Sequence, residues 1–362
     1  MKKHILDLAP GAGNPRNSEG AFITLNNGDI LFAWSRYCST SYGDGAPADI
    51  YGILSKDGGD SFGEPFPIIS HGEAGGTNVM SVSFLRMQNG DIGLFYLRKN
   101  DPWQCHTYLI RSSDEGKTWS APRLCVLHEG YHIVNNDRII RLASGRILIP
   151  VALLPMLRPF DGAPEGTPAY RLPCSVLFYA SDDDGETWFP LGHGASIGEH
   201  WDGEHGLEEP GVFELPNGSV RAFCRTQRGC QYDFYSVDGG KIWTPPAPSR
   251  FTGPDSPLSM KKLSDGRVIA VWNPIPWYNG RTEPTPATWG RTPLVAAISY
   301  DGGMTFTAPK TVEDDPLRGY AYIAIHGAED GSVLLAYCAG DEADGCMLNR
   351  LRITKLLPDF FN

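Results

Sequence analysis

The sequence predicts an all-β fold, a six-bladed β-propeller whose ring is closed by its N-terminal strand. Three observations carry that expectation. One eight-residue pattern recurs five times, a strand–turn–strand pattern recurs six times, and no stretch carries helical periodicity. The 42 glycines and 29 prolines also favour many turns and short strands over long helices.

The eight-residue box reads Ser-x-Asp-x-Gly-x-Thr-Trp in its fullest form. It occurs at 55–62 (SKDGGDSF), 112–119 (SSDEGKTW), 181–188 (SDDDGETW), 236–243 (SVDGGKIW) and 299–306 (SYDGGMTF). Five copies at intervals of roughly 55–70 residues are not chance. Each reads as an Asp-box turn. Ser and Asp bond their own backbone, Gly supplies positive φ, and the aromatic residue pins the turn to a sheet. The box aspartates are therefore structural and poor candidates for catalysis.

Upstream of the boxes, strands flank tight turns at Gly28, Gly90, Gly145, Gly218, Gly266 and Gly331. Each unit then has four strands, with the hairpin joining the first two and the box joining the last two. Such a unit is one propeller blade. Six hairpins against five boxes leave one blade without a box. The segment from His4 to Leu8 can supply its outer strand, beside the segment from Met347 to Thr354. All 362 residues are thereby absorbed into a single domain. Inserts at 156–171, 192–206 and 274–291 read as loops over one face, and the loop aromatics Trp103, Trp201, Trp277, Tyr278 and Trp289 are possible sugar-stacking residues.

Composition bounds the function. A net charge of −11 argues against a nucleic-acid or anionic-membrane surface, while leaving room for a local arginine cluster. No run of about 18 apolar residues predicts a transmembrane helix. The start lacks the apolar stretch of a signal peptide, so a cytoplasmic location is expected, or a secreted one if a leader has been removed. The eight cysteines form no C-x-x-C pair and read as free thiols, with Cys224 and Cys230 spaced to pair if the chain is exported. Neither a metal nor a cofactor is expected, because no His-x-His, paired-Cys or Gly-rich fingerprint is present.

In a propeller the pocket is built where the inner strands begin, near the axis. Candidates there are Arg16 and Glu19, then Arg98 and Asp101, then His132 and the run Asn135, Asn136, Asp137 and Arg138. His205, Glu208, Glu209 and Arg225 follow, then Asp255, Arg281 and Arg291, and last Tyr320, Tyr322 and His326. Charges at such positions are costly unless paired or liganded. Arginines mixed with carboxylates and tyrosine suit a carboxylate-bearing substrate.

The boxes and blades resemble the sialidase (neuraminidase) superfamily over nearly the whole chain. The local match is more specific. Residues 209–225 (EPGVFELPNGSVRAFCR) resemble that family's inner-strand Glu, its Glu-Leu hairpin and the Arg ending the second strand. Residues 291–299 (RTPLVAAIS) match its Arg before the fifth box. Tyr322, nine residues before Gly331, matches its Tyr. The resemblance implies an exo-sialidase that retains configuration. Tyr322 would be the nucleophile, Glu209 the base that takes its proton, and Asp44 or Asp49 the acid and base for the leaving group. Arg16, Arg225 and Arg291 would bind the substrate carboxylate, with Glu19, Asp137 and His205 beside it. A tyrosine suits an anomeric carbon that already carries a carboxylate, since it attacks without charge repulsion.

Two positions depart from the family pattern. Hairpin register puts Ser18, not Arg16, at the first arginine's place, and Cys338 where a supporting Glu belongs. The chain is thus expected to be a divergent member acting on an acidic glycan or small glycoside. The alternatives are another propeller glycosidase, a lyase on uronic-acid glycans, or a carbohydrate-binding propeller without catalysis.

Overall fold

The computed structural model describes residues 1–157, 170–198, 200, 204–276 and 288–361. Trp201, Trp277, Tyr278 and Arg281 lie outside them.

Strands Asn17–Thr24, Ile30–Tyr37, Ala48–Ser55 and Phe66–Ile69 form an antiparallel four-stranded sheet. Glu208–Glu214, Val220–Arg225, Cys230–Ser236 and Ala247–Thr252 form another. Ser259–Lys262, Val268–Trp272, Leu294–Ser299 and Lys310–Glu313 form a third. Between the first of these sheets and the other two, in chain order, lies a nine-stranded sheet. In it the strands from Asn78 to Leu124 meet those from Tyr131 to Ala195 through one parallel pair, Tyr131 with Cys105.

The last sheet orders Lys2–Leu8, Leu351–Leu356, Val333–Cys338 and Ala321–Gly327. Lys2 pairs with Leu356 and Leu8 with Leu351, so the N-terminal strand completes the C-terminal sheet as expected. No box turn is needed there because the chain ends replace it.

Middle strands such as Val333–Cys338 and Leu294–Ser299 are buried throughout, because each sheet is covered on both faces by its neighbours. Most of the hydrophobic clusters lie between successive sheets. Leu31 and Ile50 pack with Val82 and Leu94. Phe32 and Trp34 pack with Leu334 and Ile353, joining the last sheet to the first.

The box turns sit between third and fourth strands and use one hydrogen-bond scheme. Ser181 Oγ donates to Asp183 at 2.8 Å and accepts from Gly185 N at 2.7 Å, and Asp183 accepts from Thr187 N at 2.8 Å. Ser55, Ser112, Ser236 and Ser299 accept from their own box glycines in the same way. Gly185 takes φ 87°, which only glycine adopts without strain. Ser181 is fully buried. A Ser181→Ala variant leaves the Gly185 N–H unsatisfied and is expected to lose about 1–3 kcal/mol, read from the denaturant midpoint.

One inner strand departs from expectation. The third is broken into Tyr131–Ile133 and Ile140–Arg141. The intervening residues bond to other inner strands instead. Asn136 Nδ2 donates to the carbonyls of Gly20 and Tyr322, Asp137 N donates to Val82 O, and Arg138 N donates to Ser83 Oγ. Among the described residues no helix is long and apolar enough to cross a membrane. All eight cysteines are free thiols.

Two histidines, His132 buried and His326 half-buried, make the fold sensitive to acid. Burial and the neighbouring His106 push His132 down to about 4. Burial also pushes His326, against Thr24 Oγ1 at 3.0 Å, down to about 3. Both rings are neutral when folded, whereas the unfolded chain takes up their protons near 6.5. Their stabilisation is therefore complete above about pH 6.5 and declines as the pH falls toward 4, by up to about 1.4 kcal/mol per pH unit for each ring. The melting temperature followed from pH 7 to pH 4 is expected to show this slope, and a His132→Phe variant to reduce it.

Candidate functional site

Four inner strands carry the same backbone irregularity. Glu19, Ser81, Glu209 and Tyr322 each lie nine residues before their hairpin glycine, and each sits at a break in strand register. Each also takes a left-handed backbone, at φ 57°, 58°, 47° and 59°. These are β-bulges, which re-aim a side chain. All four residues line one cavity of about 780 Å³ where the inner strands begin.

Within it, the Tyr322 hydroxyl donates to Glu209 Oε1 at 2.9 Å. Glu209 Oε2 pairs with Arg225 Nη1 at 2.9 Å. Arg225 Nη2 reaches Glu208 Oε2 at 3.3 Å, and its Nε donates to Asp255 Oδ1. Burial works against the Arg225 charge, but these three carboxylates overcome it and hold its proton firmly. Burial would raise Asp255, yet Arg225 and Arg291 hold it well below the usual carboxylate range. Burial, then the Glu209 charge, raise the Tyr322 phenol, so it is protonated at rest.

Arg291 differs from Arg225. It is buried, its Nε donates to Asp255 O at 3.1 Å, and its Nη1 has no protein partner. Its guanidinium stands 5.0 Å from the Trp289 ring centroid and 5.6 Å from that of Tyr322. Trp289 is 41% exposed and lines the cavity.

On the other wall Arg16 is fully buried and paired. Its Nη2 reaches Glu19 Oε1 at 3.2 Å, its Nη1 reaches Asp44 Oδ1 at 2.6 Å, and its Nε donates to Ser18 Oγ at 2.9 Å. Arg16 therefore stands behind the cavity wall, while Glu19 and Asp44 face the cavity. Ser81 Oγ donates to Glu19 Oε2 at 2.7 Å. Burial raises Glu19 above the usual carboxylate range despite Arg16. Burial also raises Asp44, but Arg16 and Lys99 more than reverse it and leave it lowered.

Three expected residues are placed elsewhere. Asp49 pairs with His71 Nδ1 at 2.7 Å and does not line the cavity, which leaves Asp44 as the loop carboxylate there. Asp137 lines a second cavity, at the hairpin ends of the inner strands. It is tied to Lys261 Nζ at 2.6 Å and to Ile325 N at 3.0 Å, because the broken third strand turns it away from the first cavity. His205 flanks the first cavity from behind, 3.4 Å from Glu208 Oε2 and 3.8 Å from Asp255 Oδ2. Tyr320, the competitor of Tyr322, is buried against Tyr337 and does not line the cavity.

Lys99 was missed. It is buried, lines the cavity, and donates to Asp44 O at 2.6 Å. The signal was available. Leu97 stands seven residues after Gly90, as Arg225 does after Gly218, so Lys99 shares its face and Arg98 does not. Arg98 instead stacks 4.0 Å from the Tyr108 ring centroid.

A family model described as a BNR repeat-like domain matches residues 28–335. The chain belongs to the BNR repeat-like family. The proteins to which it is similar include several sialidases. This BNR-repeat chain is 26% identical over 193 residues to an anhydrosialidase of Macrobdella decora, a match covering 50% of this chain and only 23% of that protein. Among solved structures it is similar to a protein of unknown function from Dyadobacter fermentans. The TM-score is 0.72 at 20% identity, over 98% of this chain and 99% of that one. It is also similar to the NanB sialidase of Streptococcus pneumoniae, with a TM-score of 0.70 at 14% identity over 99% and 71%. A leech intramolecular trans-sialidase gives 0.70 at 15% identity over 99% and 70%. These structural likenesses show the fold of the BNR-repeat chain and not its chemistry.

Proposed function

We propose that this chain is a single six-bladed propeller acting as an exo-glycoside hydrolase on a terminal acidic sugar, a sialoside foremost. The observation that carries this reading is the buried 2.9 Å bond from the Tyr322 hydroxyl to Glu209, within a cavity that also holds Arg225 and Arg291. A phenol raised by burial is a weak nucleophile until a base takes its proton, and Glu209 is placed to do so.

In the proposed reaction, Tyr322 Oη bonds to the anomeric carbon while its proton passes to Glu209. The glycosidic bond breaks, and the leaving oxygen takes a proton from Asp44. A water then loses a proton to Asp44 and adds to the anomeric carbon, and the tyrosyl oxygen leaves with the proton held on Glu209. Arg16 and Lys99 keep Asp44 ionised at rest, so this role requires substrate to cover Asp44 and raise its proton affinity. Arg291, which lines the cavity, is the first contact for a substrate carboxylate.

One observation favours a second reading. The guanidiniums of Arg225 and Arg16 are already engaged by carboxylates, which leaves little spare positive charge for an acidic sugar. A glycosidase for a sugar without a carboxylate fits that balance. Release of a fluorogenic leaving group from matched sialoside, uronide and neutral glycosides decides between them. Turnover of the sialoside alone supports the first reading. Turnover of only the neutral sugars supports the second, and turnover of none removes both.

A further inference from the structure

A second cluster of chemically able side chains lies outside the cavity. Cys38 follows strand Ile30–Tyr37, Asp49 lies in strand Ala48–Ser55, and His71 opens the short helix His71–Ala74. The thiol, one carboxylate oxygen and one ring nitrogen lie within 4.8 Å of one another. We propose that Cys38, Asp49 and His71 form a binding site for a thiophilic divalent cation of the zinc class.

The geometry distinguishes this from a nucleophilic triad. In such a triad the acid and the nucleophile bond to opposite nitrogens of the histidine. Here both meet the same one. His71 Nδ1 is 2.7 Å from Asp49 Oδ1 and 3.9 Å from Cys38 Sγ. One proton on Nδ1 can serve only one of the two, and the imidazole cannot relay between them. A cation at the point of convergence engages all three donors. Tetrahedral zinc with bonds of about 2.0–2.3 Å separates its ligand atoms by about 3.5 Å, so small side-chain adjustments suffice.

The frame is already held. His71 N donates to Asp49 Oδ1 at 2.9 Å, and Cys38 N donates to Pro47 O at 3.0 Å. Ser70 and Glu73 close a capping box that sets the backbone of His71. The three residues are half-buried, so a fourth position is open to water. On binding, the thiol gives its proton to solvent, and thiolate plus carboxylate neutralise the two positive charges. The site also bears on the cavity, because Cys38 and Asp49 bracket the loop that carries Asp44.

The test is Co2+ titration of the full chain under reducing conditions. One Co2+ per chain with a thiolate-to-cobalt charge-transfer band, displaced by Zn2+, is expected. Cys38→Ser should abolish the band and weaken Zn2+ binding by more than the roughly 10–100-fold that loss of an outer-sphere partner costs. Cys230→Ser, at the other half-buried thiol, should leave both unchanged. If Cys38→Ser misfolds by circular dichroism, His71→Ala takes its place. Binding without the band would assign the cation to His205, Glu208 and Asp255, the other convergent cluster, and would overturn the proposal. Absence of binding, or a band that survives in the variant, overturns it equally.

Discussion

A Tyr322→Phe variant is expected to keep its fold and lose about 10³-fold or more in turnover. The change deletes one buried hydroxyl and its bond to Glu209, while Glu209 keeps Arg225 as partner. The stability cost is therefore about 1 kcal/mol. The rate cost is larger, since the group proposed to bond to the anomeric carbon is gone. Turnover of a fluorogenic glycoside, measured beside the melting temperature, separates the two. A fluorinated acidic sugar should also add its mass to Tyr322 in the native protein and to nothing in the variant. Full turnover in Tyr322→Phe, or a label on another residue, sinks the tyrosine mechanism.

An Arg225→Ala variant is expected to suffer in stability as well as activity. Arg225 is the shared partner of Glu208, Glu209 and Asp255. Its removal leaves three carboxylates facing one another without their common cation. Breaking a buried pair from one side costs about 3–5 kcal/mol, and the 30% exposure of Asp255 places this case toward the lower end. Protons taken up by the stranded carboxylates would also spoil Glu209 as a base. Arg291→Ala is the contrast. It lines the cavity and gives its Nε to the Asp255 carbonyl, so its loss should raise KM for acidic substrates and change the denaturant midpoint little. Equal stability of the two variants would refute this division between a structural and a ligand-facing arginine.

The fold was legible because its signals are local. A box such as 181–188 contains its own hydrogen bonds, so eight residues suffice to read the turn. Closure by Lys2–Leu8 followed from a missing box, which is a counting argument. The site was legible where position could be measured from a hairpin glycine, as for Glu209 and Tyr322. It was not legible where the backbone leaves the ladder. Asp137 lies in a broken strand, and its direction is set by Lys261, 124 residues away. Asp44 lies in a loop in which no period applies, and Asp49 stands at the start of the strand that follows it. Cys38, Asp49 and His71 have no characteristic spacing, because three separate elements bring them together.

The left-handed residues have a consequence for how such a molecule diversifies. Glu, Ser, Glu and Tyr occupy one equivalent address in four sheets, each at a backbone cost of roughly 1–2 kcal/mol that glycine would avoid. The ladder on either side of each bulge, not the side chain, imposes that conformation. Each address therefore behaves as a socket that accepts different chemical groups without disturbing the wall that holds it. A lineage can exchange acid, hydroxyl and phenol one socket at a time, and so change its reaction while inheriting its architecture whole.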